Sequence, residues 1–148
     1  MPMPGTATPG RLQAELLGRG IRLTQQRRVI LEVIESATKH LDAGTILRKA
    51  RLVDPGIDRV TVYRTLNLLK RQGLVDELDL LHVGGSGHYY ERRPTRDHIH
   101  MACLRCGKIQ EFESALFERL KGQIQRDCRF HIAVVRVEVG GYCADCRR

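Results

Sequence analysis

Two Cys-x-x-Cys pairs, Cys103/Cys106 and Cys143/Cys146, constrain this 148-residue chain more than any other feature. In each pair a tight turn can bring two thiolates to one ion, which is the spacing of a zinc knuckle. Two such pairs favour one closed tetrathiolate site. An ordinary zinc finger is disfavoured because the pairs lie far apart in the sequence. Residues 1–10 have neither an apolar h-region nor early positive charge, so we expect a disordered tail, a reducing cytoplasmic environment and metal ligation instead of disulfides.

A His-x-His motif stands directly before the first cysteine pair. On a β-strand, His98 and His100 would project from the same face because side chains alternate along a strand. The tetrathiolate site does not need them, so they are available to a second, more exchangeable metal. A mononuclear hydrolase could also use His98, His100 and Glu111. The sequence offers it neither an independent general base nor a clear pocket-forming scaffold, so we do not expect an enzyme.

The charge of the chain points to a polyanionic partner. The formal net charge is +8 and the sequence pI is about 9.7. Most of the excess lies in residues 1–73, where thirteen Lys/Arg face six Asp/Glu. This modest asymmetry suggests nucleic acid but does not by itself decide for it. No window approaches the ~18 apolar residues that a membrane span requires, so no membrane partner is expected.

Four helices are predicted in the first half. One covers Arg11–Leu17, and Thr24, Asp42 and Asp58 are suitable N-caps for the next three. On the fourth helix, which is predicted to reach about Gln72, polar and basic residues share a sector of roughly 120°: Tyr63, Arg64, Asn67, Lys70 and Arg71. Arg can bond guanine edges or phosphate, Asn can bond adenine, and Tyr can contact thymine methyls. A merely solvated face is the alternative, but three preceding helices in helix-turn-helix order favour a DNA reader.

The pattern after the fourth helix completes an α+β fold. Residues 74–83 and 88–91 flank a glycine-rich turn, which predicts the β-hairpin of a winged helix. Strands at Lys108–Phe112 and His131–Val139 and a helix capped by Ser114 follow. These elements leave apolar faces that a second copy could cover. The predicted organisation is a tail at 1–10, a winged helix-turn-helix domain at 11–91, a hinge at 92–97 and a small α/β dimerisation and metal-binding domain at 98–148.

In the order and spacing of its motifs, the chain resembles the ferric uptake regulator family of bacterial metal-sensing repressors. The resemblance extends from about Leu16 to Cys146 and rests on these landmarks: Leu23-Thr24-Gln25-Gln26-Arg27, Thr61-Val62-Tyr63-Arg64-Thr65-Leu66, Asp97-His98-Ile99-His100, Cys103-x-x-Cys106-Gly107-Lys108 and Cys143-x-x-Cys146. It implies a dimeric repressor that binds inverted-repeat, A/T-rich operators when loaded with metal and controls metal-uptake genes. Whether dimers pair into tetramers stays open.

The resemblance also assigns residues to sites. It implies structural zinc on Cys103, Cys106, Cys143 and Cys146, and a regulatory metal on a second set: His40, Glu91, His98, His100 and Glu111. It assigns base reading to Tyr63 and Arg64, minor-groove insertion to Arg22 and phosphate contact to Arg27. Asn67 joins the DNA-binding residues from the helix pattern.

The branch of the family follows from the regulatory set. Zinc-sensing members often use a cysteine there, and peroxide-sensing members typically use an aspartate where this chain offers Glu91 or Glu111. We therefore favour Fe(II), with Mn(II) or Zn(II) as alternatives for the metal and a zinc or peroxide sensor as the alternative function. Some family members have an accessory metal site whose four positions match Asp97, Ile99, Glu118 and Val135. Because Ile99 and Val135 have no ligand atom, we expect this site to be absent or altered. Cys128 is expected to be a buried apolar thiol.

Overall fold

The computed structural model describes residues 10–38, 40–79, 87–94 and 96–147, which form two compact units. Of the described residues, those at 10–38, 40–78 and 88–93 belong to the first unit, and those at 79, 87, 94 and 96–147 belong to the second. The mixed α+β class is confirmed. Residues 1–9 of the predicted tail, residues 80–83 of the predicted first wing strand and residues 84–86 of the predicted glycine-rich turn lie outside the described part of the chain.

The first unit begins with four helices: α1 (Arg11–Gly18), α2 (Gln25–Glu35), α3 (Ala43–Arg51) and α4 (Arg59–Arg71). The three predicted N-caps are confirmed, since Thr24, Asp42 and Asp58 each accept a backbone N–H from the first turn of the following helix. Helix α1 has no cap of this kind. Instead, the backbone N–H of Leu12 donates to the Glu35 carboxylate on α2 at 2.6 Å, which satisfies one otherwise unpaired donor.

A three-stranded sheet completes the first unit. Its strands are β1 (Leu41–Asp42), β2 (Val75–Leu78) and β3 (Tyr89–Arg92), in the antiparallel order β1-β3-β2. The sequence predicts the β2–β3 hairpin but not β1, because two residues are too few to show periodicity. The apolar faces of all four helices and the inner face of this sheet enclose one core.

The second unit has a sheet of three strands and one helix: β4 (Ile99–Cys103), β5 (Ile109–Phe112), α5 (Ala115–Asp127) and β6 (Val137–Gly141). Strand β4 lies in the centre, antiparallel to β5 and parallel to β6. Ser114 caps α5 as predicted. The last strand begins at Val137 and not at His131. The connection from β4 to its parallel neighbour β6 runs through β5, α5 and the residues that follow α5.

Helix α5 leaves an apolar face uncovered within this unit. Leu116, Leu120 and Ile124, spaced four residues apart, are 70%, 52% and 37% exposed, whereas Phe117 at the edge of this face is buried. The expectation of uncovered apolar surface in this half is thus confirmed for a single chain. None of the described helices is long and apolar enough to cross a membrane.

Candidate metal centres and nucleic-acid interface

The four predicted zinc ligands lie together at one end of the second unit. Their sulfur atoms are all within 4.8 Å of one another, and Cys106 Sγ is 3.8 Å from Cys143 Sγ. A tetrahedral zinc ion with Zn–S bonds of about 2.3 Å places its sulfurs about 3.8 Å apart. The cluster therefore fits Zn²⁺, and four protein ligands leave no coordination position open for catalysis.

Backbone hydrogen bonds build the two knuckles. The N–H of Gly107 donates to the Cys103 carbonyl at 2.9 Å, with Gly107 at φ +73°, and the N–H of Cys146 donates to the Cys143 carbonyl at 2.9 Å. The N–H of Leu104 donates to the Gly141 carbonyl at 2.8 Å, which ties the first knuckle to the end of β6. Glycine suits the left-handed conformation at position 107 because it has no Cβ to clash.

The knuckles also prepare a thiolate. Backbone N–H groups of Cys106 and Cys143 lower the pKa of Cys103 to about 6, and the Cys143 N–H lies 3.4 Å from Cys103 Sγ. The side chain of Cys143, helped by burial, raises the pKa of Cys146 to about 12. The first negative charge of the cluster therefore falls on Cys103, whereas the Cys146 thiol keeps its proton until a cation balances the thiolate charge.

In the first unit, His40 and Glu91 form one half of the predicted regulatory set. The β1–β3 pairing aligns Leu41 with Tyr90 and so places the flanking residues side by side. His40 Nε2 lies 2.7 Å from Glu91 Oε2, and both side chains are largely buried. An imidazole and a carboxylate at this separation can hydrogen-bond each other or bind one divalent cation.

In the second unit, His98, His100 and Glu111 form the other half. His98 Nε2 is 3.0 Å from His100 Nε2 and 4.0 Å from Glu111 Oε1, while His100 and Glu111 are paired across β4 and β5. Neighbouring ligands on one ion with bonds of about 2.1 Å lie about 3.0 Å apart. His98 Nδ1 is 3.3 Å from the Arg96 carbonyl. Donation to that carbonyl would leave Nε2 for the metal.

The predicted reading helix is α4. Its apolar side is buried through Val62, Leu66 and Leu69, while Tyr63, Arg64 and Asn67 are exposed. Lys70 departs from the predicted face, because its ammonium group binds the Glu77 carboxylate on β2. The exposed face of α4 can therefore present a tyrosine, an arginine and an asparagine to a groove, with Lys70 serving as a tie within the unit.

Glu77 on β2 links this strand to α4 through Lys70 and to β3 through Tyr90. Its carboxylate binds Lys70 and accepts a hydrogen bond from the Tyr90 hydroxyl at 3.2 Å. Burial raises the pKa of Glu77, but the Lys70 hydrogen bond and charge outweigh it and leave the pKa below its usual value. Burial, followed by the Glu77 charge, raises the pKa of Tyr90. The network keeps Glu77 ionised and Tyr90 neutral.

The two predicted backbone-contacting arginines flank the start of α2. Arg22 is exposed, and Arg27 is half-buried with its guanidinium donating to the Arg22 carbonyl at 3.3 Å. Val60, which none of the sequence motifs marks as a site residue, is 53% exposed on α4 one turn before Arg64. The helical period predicts that Val60 lies on the same face as Tyr63 and Arg64, but an aliphatic side chain offers no hydrogen-bonding group that would mark it as a site residue.

The accessory positions form no four-ligand set in the described residues. Asp97 and Glu118 both bind the ammonium group of Lys121, while the other two accessory positions, Ile99 and Val135, carry apolar side chains that cannot bind a metal. The expectation for Cys128 is wrong, since this thiol is exposed in the single chain at the C-cap of α5. A helix end is poorly shielded by its own unit, and the periodicity of the preceding helix does not extend to it.

A winged-helix unit with an exposed reading helix, in one chain with a tetrathiolate cluster and His/Glu ligand sets, defines the class of metal-responsive DNA-binding regulators. The model of the ferric uptake regulator family matches residues 18–140, and the chain belongs to that family. Regulators of this family bind DNA, act as dimers and are not enzymes, which excludes the hydrolase alternative.

Individual relatives support the assignment along nearly the whole chain. A ferric uptake regulation protein of Synechococcus elongatus is 34% identical over 145 residues, or 97% of each chain. The structure of the Helicobacter pylori ferric uptake regulator, described as having three functional metal binding sites, aligns with a TM-score of 0.76 at 25% identity, over 93% of this chain and 90% of that one. A zinc-bound manganese uptake regulator aligns with a TM-score of 0.68 at 33% identity, over 90% and 99%.

Proposed function

We propose that this chain is an iron-dependent repressor of metal-uptake genes. In this proposal one Fe(II) ion is bound jointly by His40, Glu91, His98, His100 and Glu111. The ion binds the DNA-competent arrangement more tightly and shifts the population toward it. The observation that carries the proposal is the composition of the two half-sets, which offer imidazole and carboxylate donors at short separations and no thiolate.

The donor chemistry favours iron over the zinc- and peroxide-sensing alternatives. Four of the thiols form the tetrathiolate cluster, and the fifth, Cys128, lies at the end of α5 and belongs to neither half-set. Glu91 and Glu111 supply the carboxylates, without the aspartate that a peroxide sensor typically presents. Nitrogen and oxygen ligands suit Fe(II) and Mn(II) alike.

Manganese is the second candidate because of one comparison. The zinc-bound manganese uptake regulator shares 33% identity with this chain, more than the 25% shared by the Helicobacter pylori iron regulator. A test of the proposal must therefore separate the two metals.

The test is DNA binding by fluorescence anisotropy under anaerobic conditions, on full-length protein with zinc retained and the regulatory site empty. The probe is an inverted-repeat, A/T-rich duplex, titrated separately with Fe(II), Mn(II) and Zn(II). We expect tight binding to appear with Fe(II) and to vanish in His98→Ala/His100→Ala. His131→Ala is the matched control, because this exposed histidine belongs to neither half-set. Equal affinity with and without metal would refute metal gating, and a response to Mn(II) alone would replace iron by manganese.

On the DNA side, we propose that Tyr63, Arg64 and Asn67 contact bases, while Arg22 enters a narrow minor groove and Arg27 binds phosphate. Arg64→Ala should weaken operator binding by about 1–3 kcal/mol and relax base preference, whereas Arg27→Ala should lower the salt dependence on any sequence. Arg126→Ala, on the exposed part of α5, is the control. Equal losses for Arg64→Ala on operator and random DNA would refute the base-reading role.

We place this activity in the cytoplasm, where a bacterial operator is accessible. Sedimentation velocity of the protein–operator complex decides between one dimer and a pair of dimers on the operator.

A further inference from the structure

A cleft beside α5 brings opposite charges together next to the regulatory half-set of the second unit. It measures about 550 Å³ and lies between the segment before β4 and the first two turns of α5. Asp97 enters it from the first side, and Glu118 and Lys121 enter it from the helix. Neither zinc binding nor base reading makes use of this cleft.

Lys121 contacts both carboxylates of the cleft and is the least exposed of the three charged side chains. Its ammonium group binds the Asp97 carboxylate and lies 3.0 Å from Glu118 Oε1 and 5.8 Å from the ring centroid of Phe117. The Lys121 side chain is 18% exposed, against 42% for Asp97 and 57% for Glu118. Phe117 is the buried anchor of α5. The hydrogen bonds that the Lys121 ammonium group donates to the Asp97 and Glu118 carboxylates raise the pKa of Lys121 and so favour its charged form.

Lys121 contacts Asp97, which lies in the chain between Arg96 and His98. The Arg96 carbonyl on one side lies 3.3 Å from His98 Nδ1, and His98 itself follows on the other. The opposite ring nitrogen of His98 is the one that lies 3.0 Å from His100 Nε2. A movement of Asp97 would therefore move the carbonyl and the ring together.

We propose that Lys121 is a positioning residue for the regulatory metal: by holding Asp97 against α5, it fixes the backbone before β4 and aims His98 Nε2 at the ion. This inference rests on the proposed function, because it assumes that His98 binds the metal. Partners that orient a ligating histidine typically change metal affinity 10–100-fold. Lys121 acts one residue further away, so we expect a loss of about 3- to 10-fold when it is removed.

The test is a Co(II) titration of full-length, zinc-loaded protein, followed by the visible ligand-field absorption of the bound ion. Lys121→Met keeps the length and apolar stem of the side chain but removes the cation. We expect a 3- to 10-fold weaker Co(II) affinity and an altered spectrum, with restoration of both in Lys121→Arg. Arg126→Met, which removes an exposed cation from the same helix, should behave as the unmodified protein.

A double-mutant cycle tests the route through Asp97. If Lys121 acts through that carboxylate, Asp97→Asn alone should reproduce the loss, and Asp97→Asn/Lys121→Met should lose no more than either single variant. Additive losses, unchanged affinity in Lys121→Met, or an equal loss in Arg126→Met would each overturn the proposal. Unmodified zinc-loaded protein that binds no Co(II), or His98→Ala that binds it normally, would overturn the proposed regulatory site as well, so the two failures are distinguishable.

Discussion

Removing the zinc ion is expected to unfold the second unit while the first unit stays folded. The two units have very different cores. The first encloses an extended cluster of aliphatic side chains from four helices and a sheet. In the described part of the second, the buried apolar side chains are Ala102, Cys103 and Phe117.

The size of the core determines how much the second unit depends on zinc for its stability. Burying one large and two small side chains contributes about 5 kcal/mol, at up to about 3 kcal/mol for the aromatic ring. Structural zinc contributes about 10–16 kcal/mol in small metal-dependent domains. The metal therefore stabilises the second unit more than its apolar core does. Cys143→Ser, which leaves three ligands, should release most of this contribution.

The assay is circular dichroism at 222 nm with zinc content measured on the same samples. Helix α5 has 13 residues beside 8, 11, 9 and 13 in α1 to α4, so zinc removal or Cys143→Ser should abolish about a quarter of the helical signal. The remainder should melt in one transition. Cys128→Ser is the matched control, because this thiol lies outside the cluster and its loss should leave zinc and helix content unchanged.

Two results would contradict this reasoning. A full helical signal after zinc removal would mean that the small core, with the contacts of a second copy, suffices for folding. Loss of the whole helical signal would mean that the first unit depends on the second. Repeating the melts at two protein concentrations separates the contribution of dimerisation, which is concentration-dependent.

Three further predictions concern the first unit. Burial raises the pKa of Asp42, but the hydrogen bonds at the start of α3 outweigh it and leave the pKa lowered. The stability from this cap is therefore present above about pH 4 and is lost as pH falls through the lowered pKa. Asp42→Asn should remove this pH-dependent component from melting curves recorded between about pH 6 and 2. Leu66→Ala should cost about 2–5 kcal/mol in urea unfolding, and Leu52→Ala, at an 86% exposed position, less than about 0.5 kcal/mol. Glu77→Ala should cost about 1–3 kcal/mol, and adding Tyr90→Phe should cost less than it does alone, since the hydrogen bond is already lost; full additivity would contradict the network.

Local signals in the sequence predict the helices of this protein well. Thr24, Asp42, Asp58 and Ser114 each precede a helical period, and each accepts a backbone N–H in the fold. A cap acts within three residues, so its physics is complete in the sequence. The cysteine cluster was equally predictable, because the short spacing within each pair already fixes the turn geometry.

Features that depend on distant partners were not predictable in this way. Strand β1 exists because Leu41 finds Tyr90, nearly fifty residues away, and not because its two residues favour a strand. Lys70 leaves the reading face because Glu77 is nearby in the folded unit. Lys121 shows the same limit, since a lysine three residues after Glu118 looks like an ordinary helical ion pair until Asp97 is placed beside it.

Strand β4 carries predicted ligands of both metals, with His100 near its start and Cys103 at its end. Three residues of a strand span about 10 Å, so the thiolate cluster holds one end of the segment that presents the histidine. Under the proposed function, this arrangement predicts an order of loading in which zinc binds first and the sensed metal second. In that proposal, a zinc-starved or thiol-oxidised protein would report metal scarcity whatever the supply of the sensed metal, and an oxidant would relieve repression even when that metal is abundant.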